Sequence, residues 1–111
     1  LDEGAARALA DLLEPVTLPG GALLFAEGDS ADALYVVKTG AVGVSVRDAS
    51  GRERRIARVG PPETVGEMAL LSNAPRSAAA TILRDATLLR LPRASFDALA
   101  ARHPAAMLYF A

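Results

Sequence analysis

Short apolar runs alternate with turn residues from position 16 to position 91, and this pattern restricts the fold more than any other feature of the chain. Val42, Val44 and Val46 alternate with small residues, which is the period-two pattern of a half-buried strand. Separate strands are predicted at 34–37 and 42–46, and again at 78–83 and 87–91. About eight short strands with regular turns predict a mainly β fold, a sandwich or a jelly-roll barrel.

Helical spacing appears only at the two ends of the chain. Near the start, apolar residues recur at helical intervals, namely Ala5, Leu9, Leu12 and Leu13. Pro15 is expected to end this leading helix near Glu14, because the residue before a proline avoids the α region. Helical spacing returns from Arg93, Pro104 interrupts it, and another helix is expected over 105–110.

The stretch 65–78, VGEMALLSNAPRSA, contains the first of two features that can hold a phosphate. Gly66 has no β-carbon, so the backbone can pass close to a ligand. If residues 67–71 form a helical turn, its first amides, such as those of Met68 and Ala69, lack partners within the helix. These amides and the positive end of the helix dipole predict an anion site.

The second feature is a set of side chains around Arg76. Its planar guanidinium matches two phosphate oxygens at once, Ser77 adds a hydroxyl, and Ala78 leaves its backbone N–H unobstructed. Glu67 would repel a phosphate, and it is better suited to accept a hydrogen bond from a neutral sugar hydroxyl. A phosphate beside a sugar hydroxyl indicates a nucleotide.

This stretch resembles the phosphate-binding cassette of the cyclic nucleotide-binding domain family. Upstream, Gly28-Asp29, the sequence LYVV at 34–37 and Gly40 resemble the same family's glycine-punctuated barrel signature. The resemblance covers almost the whole chain. It implies a leading helix, an eight-stranded jelly-roll barrel, a short cassette helix and trailing C-terminal helices. The ligand-binding residues that it implies are Gly66, Glu67, Met68, Ala69, Arg76, Ser77 and Ala78.

Three positions depart from the family pattern. Val65 stands where an aromatic residue is common, Pro62 where glycine is frequent, and Phe25 where a β-branched residue is typical. All three change the shape of the loops and leave the phosphate-binding chemistry in place.

The resemblance also bears on the base, and cyclic AMP is the expected ligand, with cyclic GMP left open. Some guanine-selective relatives use a hydroxyl at the position of Ser77. Others present an arginine where this chain has Ala57 beside Ile56, an apolar wall that offers the guanine carbonyl no donor. Tyr109 and Phe110 are candidates to cover the base, and the alternative is that they pack on the barrel or on a partner.

Composition excludes several classes of protein. A net charge of −1 argues against a nucleic-acid surface, and the arginines of 52–58 are interpreted as one side of a solvent-facing strand of mixed charge. The absence of cysteine excludes disulfides and cysteine-based metal sites, and it fits a reducing, cytoplasmic location. No apolar run approaches the roughly 20 residues that a membrane span needs.

The 111 residues are expected to form one domain, residues 1–111, cut from a longer protein, because the chain begins without methionine and stops inside a helical segment. The sequence predicts a regulatory module that passes ligand binding to an absent output domain. We expect no enzyme activity and no cofactor, because no nucleophile–base pair or metal cluster is visible. The alternatives are the sensory half of a transcription regulator or a degenerate scaffold that binds nothing.

The resemblance extends to possible host proteins. Similar regulatory domains occur in bacterial patatin-like phospholipases, ion channels and transcription regulators, and the phospholipase host is preferred on resemblance alone. A homodimer is left open.

Overall fold

The fold is built around one antiparallel sheet with helices before, within and after it. The computed structural model describes residues 3–110, with side chains as far as residue 107. In chain order the elements are α1 (Glu3–Leu12), β1 (Glu14–Leu18), β2 (Leu23–Phe25), β3 (Ala33–Arg47), β4 (Glu53–Val59), β5 (Thr64–Val65), α2 (Glu67–Ser72), β6 (Ala79–Pro92), α3 (Arg93–Arg102) and a 3₁₀ helix (Pro104–Phe110). The mainly β class with flanking helices is confirmed.

The described residues form six strands, whereas the sequence predicts about eight. The two longest strands, β3 and β6, each run through two of the predicted ones. In β3 the chain bends at Gly40, whose φ is 88°, and the pairing with β6 shifts register between Val37 and Val42. The turn residues therefore bend a continuous strand here, and they do not end it.

The first half of β3 is buried on both faces. Leu34 and Val36 join the apolar cluster beneath the helices, whereas Tyr35 and Val37 join the cluster on the other face of the sheet. Successive side chains of a strand point to opposite faces, so burial of both faces produces a continuous apolar run. Phe96 of α3 belongs to the cluster beneath the helices, which ties the C-terminal region to this strand.

The leading helix ends at Leu12, slightly before the predicted end, and Pro15 lies inside β1. Strand β1 pairs only with β6 and is an edge of the sheet, where a residue without an N–H is tolerated. Strand β4 forms the opposite edge, and its residues are exposed as far as Arg58. The predicted solvent-facing strand is confirmed.

Candidate functional site

The short helix α2 starts and stops at residues in the left-handed region. Gly66 precedes the helix with a φ of 87°, and Asn73 follows it with a φ of 53°. The Asn73 N–H closes the helix by donating to the carbonyls of Ala69 and Leu70. Because glycine adopts this region without a steric penalty, Gly66 allows an abrupt entry from β5 into the helix.

Two backbone hydrogen bonds join the loop after α2 to the loop after β2. The Arg76 N–H donates to the Asp29 carbonyl, and the Gly28 N–H donates to the Arg76 carbonyl, each at 2.8 Å. The backbone at Arg76 is therefore held by the Gly28-Asp29 pair. The two sequence signatures meet at this point.

The Arg76 side chain is 2% exposed, and its terminal nitrogens donate hydrogen bonds to the backbone. Nη1 donates to the Gly66 carbonyl at 2.7 Å, and Nη2 donates to the Ala33 carbonyl at 2.5 Å. Nε has no partner, and it is the only buried side-chain nitrogen or oxygen without one among the residues described. Leaving a buried donor unpaired carries a desolvation cost, so this nitrogen is a ready position for an acceptor.

The positive charge on Arg76 is only partly compensated by its surroundings. The nearest carboxylate oxygen, Oδ1 of Asp32, lies 3.8 Å from Nη2, and that carboxylate is 70% exposed. Burial lowers the pKa of Arg76, and the charge on Asp32 opposes this effect. Arginine nevertheless keeps its proton at physiological pH. The site therefore holds a desolvated cation that an anion would stabilise.

A cavity of about 200 Å³ opens beside this guanidinium. All of the ligand-binding residues predicted from the sequence line it, namely Gly66, Glu67, Met68, Ala69, Arg76, Ser77 and Ala78. The other lining residues are Phe25, Val44, Val59, Thr64 and Val65. Sequence reasoning did not assign this second group to the site, although the alternation in β3 already placed Val44 on one face with Val42.

Glu67 lies at the start of α2 and is half-buried. Within the described part of the chain, no hydrogen bond or ion pair occupies its carboxylate. Glu67 lines the same cavity as Arg76, so its carboxylate is available to accept a hydrogen bond from a ligand.

The prediction that Ala57 and Ile56 form an apolar wall beside the base is wrong. Neither residue lines the cavity, and Ile56 is 61% exposed. The register places Ala57 opposite Val44 and Arg55 opposite Ser45, so Ile56 is the extra residue of a β-bulge. The apolar wall on this side consists of Val44 and Val59. The side chains of Tyr109 and Phe110, the candidates to cover the base, lie outside those described.

No group of three or more potential metal-binding side chains occurs among the described residues, 3–110. In the same range, no helix is long and apolar enough to cross a membrane.

A sequence model of the cyclic nucleotide-binding domain matches residues 15–103. The chain belongs to this family. The resemblance of the two signatures is thereby confirmed, and the sheet with its flanking helices is the family's jelly-roll fold.

Three relatives illustrate the range of proteins that contain this domain. The chain is 31% identical over 104 residues to the CRP-like cAMP-activated global transcriptional regulator of Mycobacterium tuberculosis, covering 94% of this chain and 46% of that protein. It is 32% identical over 92 residues to lysophospholipase nte1 of Aspergillus terreus, covering 83% of this chain and 6% of that protein.

The third relative is a solved structure, the regulatory domain of Toxoplasma gondii PKA crystallised with cAMP. The TM-score is 0.86 at 34% identity, over 89% of this chain and 38% of the other. In each comparison this chain spans less than half of the length of its relative.

Proposed function

We propose that this cyclic nucleotide-binding domain binds cyclic AMP in the cavity beside Arg76 and acts as the regulatory module of a longer protein. The observation that carries the proposal is the buried guanidinium of Arg76, a residue of the cavity wall whose Nε has no hydrogen-bond partner. A cyclic phosphate supplies both the negative charge and the acceptor that this group lacks.

The other residues of the cavity wall are proposed to contact either the phosphate or the ribose. Ser77 and Ala78 follow Arg76 in the cavity wall and add a hydroxyl and a backbone N–H for the phosphate. Gly66, Met68 and Ala69 belong to the turn into α2 and form the same wall. Glu67 is the proposed acceptor for the ribose 2′-hydroxyl, because its carboxylate would repel the phosphate itself.

Cyclic AMP is favoured over cyclic GMP by the apolar residues of the cavity. Val44 and Val59 offer no donor to the guanine carbonyl, so burying it against them leaves an acceptor unpaired. Two relatives support this choice, since the mycobacterial regulator is cAMP-activated and the PKA regulatory domain was crystallised with cAMP. We expect a preference on the order of tenfold.

Coupling to an output domain has a structural route through the segment before β3. Nη2 of Arg76 donates to the Ala33 carbonyl, and the N–H of Arg93, the first residue of α3, donates to the Asp32 carbonyl at 2.8 Å. Arg93 Nε also donates to the Ala31 carbonyl. Arg76 is therefore linked through this segment to the residues that anchor α3, and a ligand that strengthens or weakens the Nη2 bond acts on them. The ligand shifts the equilibrium between two arrangements of α3 by as much as its binding free energy differs between them.

Calorimetric titration with cyclic AMP tests the proposal. The parent domain should bind, and Arg76→Ala should lose about 2–5 kcal/mol, or roughly 30-fold to several thousand-fold in affinity. Arg76→Lys should recover only part of this loss, because an ammonium group lacks the planar fork. Arg58→Ala removes an exposed arginine outside the cavity wall and should leave the affinity unchanged. An Arg76→Ala affinity within threefold of the parent would refute the assignment.

A further inference from the structure

An aromatic ring covers one face of the buried guanidinium. The Arg76 Cζ atom lies 4.0 Å from the centroid of the Phe25 ring. Gly66 lies close to both groups, since a β-carbon at that position would be 2.6 Å from Nη1 and 3.3 Å from a ring carbon of Phe25. The guanidinium is therefore packed between the ring and the turn into α2.

The Phe25 ring is itself held by the core. Phe25 ends β2 and pairs with Ala80 of β6, and its ring stacks on Tyr35 with a centroid distance of 6.5 Å. Tyr35 is 7% exposed and belongs to the apolar cluster on this face of the sheet. The ring is thus a rigid surface that continues the core up to the cavity wall.

An aromatic ring affects a buried cation differently from an aliphatic side chain of similar size. The negative face of the ring attracts the guanidinium, and this attraction is strongest where water is excluded. An isoleucine or leucine would fill the space without that attraction. The ring and the two carbonyl acceptors together fix the guanidinium plane and leave Nε as the unpaired donor.

We propose that Phe25 is a positioning residue for phosphate binding, which acts by holding the Arg76 guanidinium over its ring with Nε left unpaired beside the cavity. The inference rests on the proposed function of this cavity. An aromatic ring at position 25 should increase the affinity for the phosphate-bearing ligand.

Calorimetric titration of matched variants with cyclic AMP tests the proposal. Phe25→Leu should weaken binding about tenfold, and Phe25→Tyr, which keeps the ring, should stay within about threefold of the parent. Leu23→Ala changes an exposed residue of the same strand outside the cavity wall and should have no effect. A Phe25→Leu affinity equal to that of the parent would overturn the proposal.

A double-mutant cycle separates positioning from general packing. In an Arg76→Ala background, followed by NMR titration at high ligand concentration, Phe25→Leu should cause less than about a twofold further change. A tenfold loss in both backgrounds would mean that Phe25 acts independently of Arg76, and it would overturn the proposal.

The side-chain NMR signal of Arg76 Nε–H provides a readout that needs no ligand. In the parent domain the ring should shift this resonance from the usual arginine position, and burial should slow its exchange with water. The signal is identified by its loss in Arg76→Lys. It should return toward the usual position in Phe25→Leu, or in Phe25→Ile if the leucine variant does not fold. An unshifted parent signal would overturn the proposal.

The two hypotheses fail in distinguishable ways. If the parent domain does not bind cyclic AMP, the proposed function is wrong. If the parent binds and the Phe25 variants bind equally well, only the positioning role is wrong.

Discussion

At the scale of single residues, Arg76 differs in one respect from the sequence-based expectation. The sequence predicts that its planar guanidinium binds two phosphate oxygens. In the structure, each terminal nitrogen already donates one hydrogen bond to a backbone carbonyl. Each of these nitrogens carries a second N–H, and Nε carries another. A side-on approach, through Nε and one terminal nitrogen, keeps two donors for a phosphate without breaking the existing bonds.

Glu67 leads to a prediction about the sugar. If its carboxylate accepts the ribose 2′-hydroxyl, 2′-deoxy cyclic AMP should bind more weakly than cyclic AMP. The lost hydrogen bond should cost about 1–3 kcal/mol, or roughly 5-fold to 150-fold in affinity, because the carboxylate loses its donor. Glu67→Gln should reduce the difference between the two ligands.

Competition binding with the two nucleotides provides the measurement. Glu53→Gln, a change at an exposed carboxylate of β4 outside the cavity wall, serves as the control and should keep the full difference. Equal affinities of the parent domain for the two nucleotides would exclude this role for Glu67.

At the scale of elements, the bend in β3 depends on Gly40. Its φ is 88°, and a β-carbon there would lie 2.7 Å from the Ala86 Cα of the paired strand. Gly40→Ala should therefore lower the free energy of unfolding by about 2 kcal/mol or more, since it adds a backbone clash to the left-handed conformation. Urea denaturation measures the change.

Gly51 is the matched control for this substitution. Its φ is 83°, but a β-carbon there has no atom within 4 Å, so Gly51→Ala should show only the conformational penalty of about 1–2 kcal/mol. If the two variants were equally stable, the close approach at Gly40 would have no energetic role.

The hairpin between β3 and β4 leads to a pH-dependent prediction. The Asp48 carboxylate accepts hydrogen bonds from the side chains of Ser50 and Arg54 and from the backbone N–H of Arg52. These bonds lower the pKa of Asp48 from 3.8 to about 2, and the bond from the Ser50 side chain has the largest effect. A lowered pKa means that the contribution to stability is present above pH 3.8 and is lost as the pH falls through about 2.

Asp48→Asn isolates this contribution. The variant should have a lower urea midpoint than the parent at pH 7, and the difference should shrink as the pH approaches 2. NMR titration of the Asp48 carboxyl provides a direct check. A pKa at the ordinary aspartate value would contradict the role of these hydrogen bonds.

At the scale of the whole molecule, ligand binding should be visible as stability. The cavity borders the apolar cluster that contains Tyr35 and Val37, so a bound ligand contacts the folded core. A ligand that binds only the folded state stabilises it by mass action, by about 2.7 kcal/mol at a concentration 100 times Kd. Cyclic AMP should therefore raise the melting temperature more than cyclic GMP at equal concentration.

Thermal-shift measurements with both nucleotides test this selectivity. A tenfold preference corresponds to a difference of about 1.4 kcal/mol in stabilisation when both ligands are in excess. Arg76→Ala should abolish both shifts at the same ligand concentrations. A larger shift with cyclic GMP would overturn the expected preference.

The sequence by itself determined the fold class and seven of the twelve residues that line the cavity beside Arg76. Those features depend on local chemistry: period-two alternation, turn glycines such as Gly66, and the closely spaced residues of the cassette. The start of α2 at Glu67 follows from this local pattern.

Only the tertiary structure decided what surrounds these residues. In the folded protein, the backbone of Arg76 is hydrogen-bonded to the Gly28-Asp29 loop, and the Phe25 ring packs against its guanidinium. Strand β3 also continues past Gly40 as one strand. The tertiary structure also placed Val59, and not Ala57, in the wall of the cavity. Each of these outcomes depends on register and packing between residues far apart in the chain, and local patterns carry no information about such contacts.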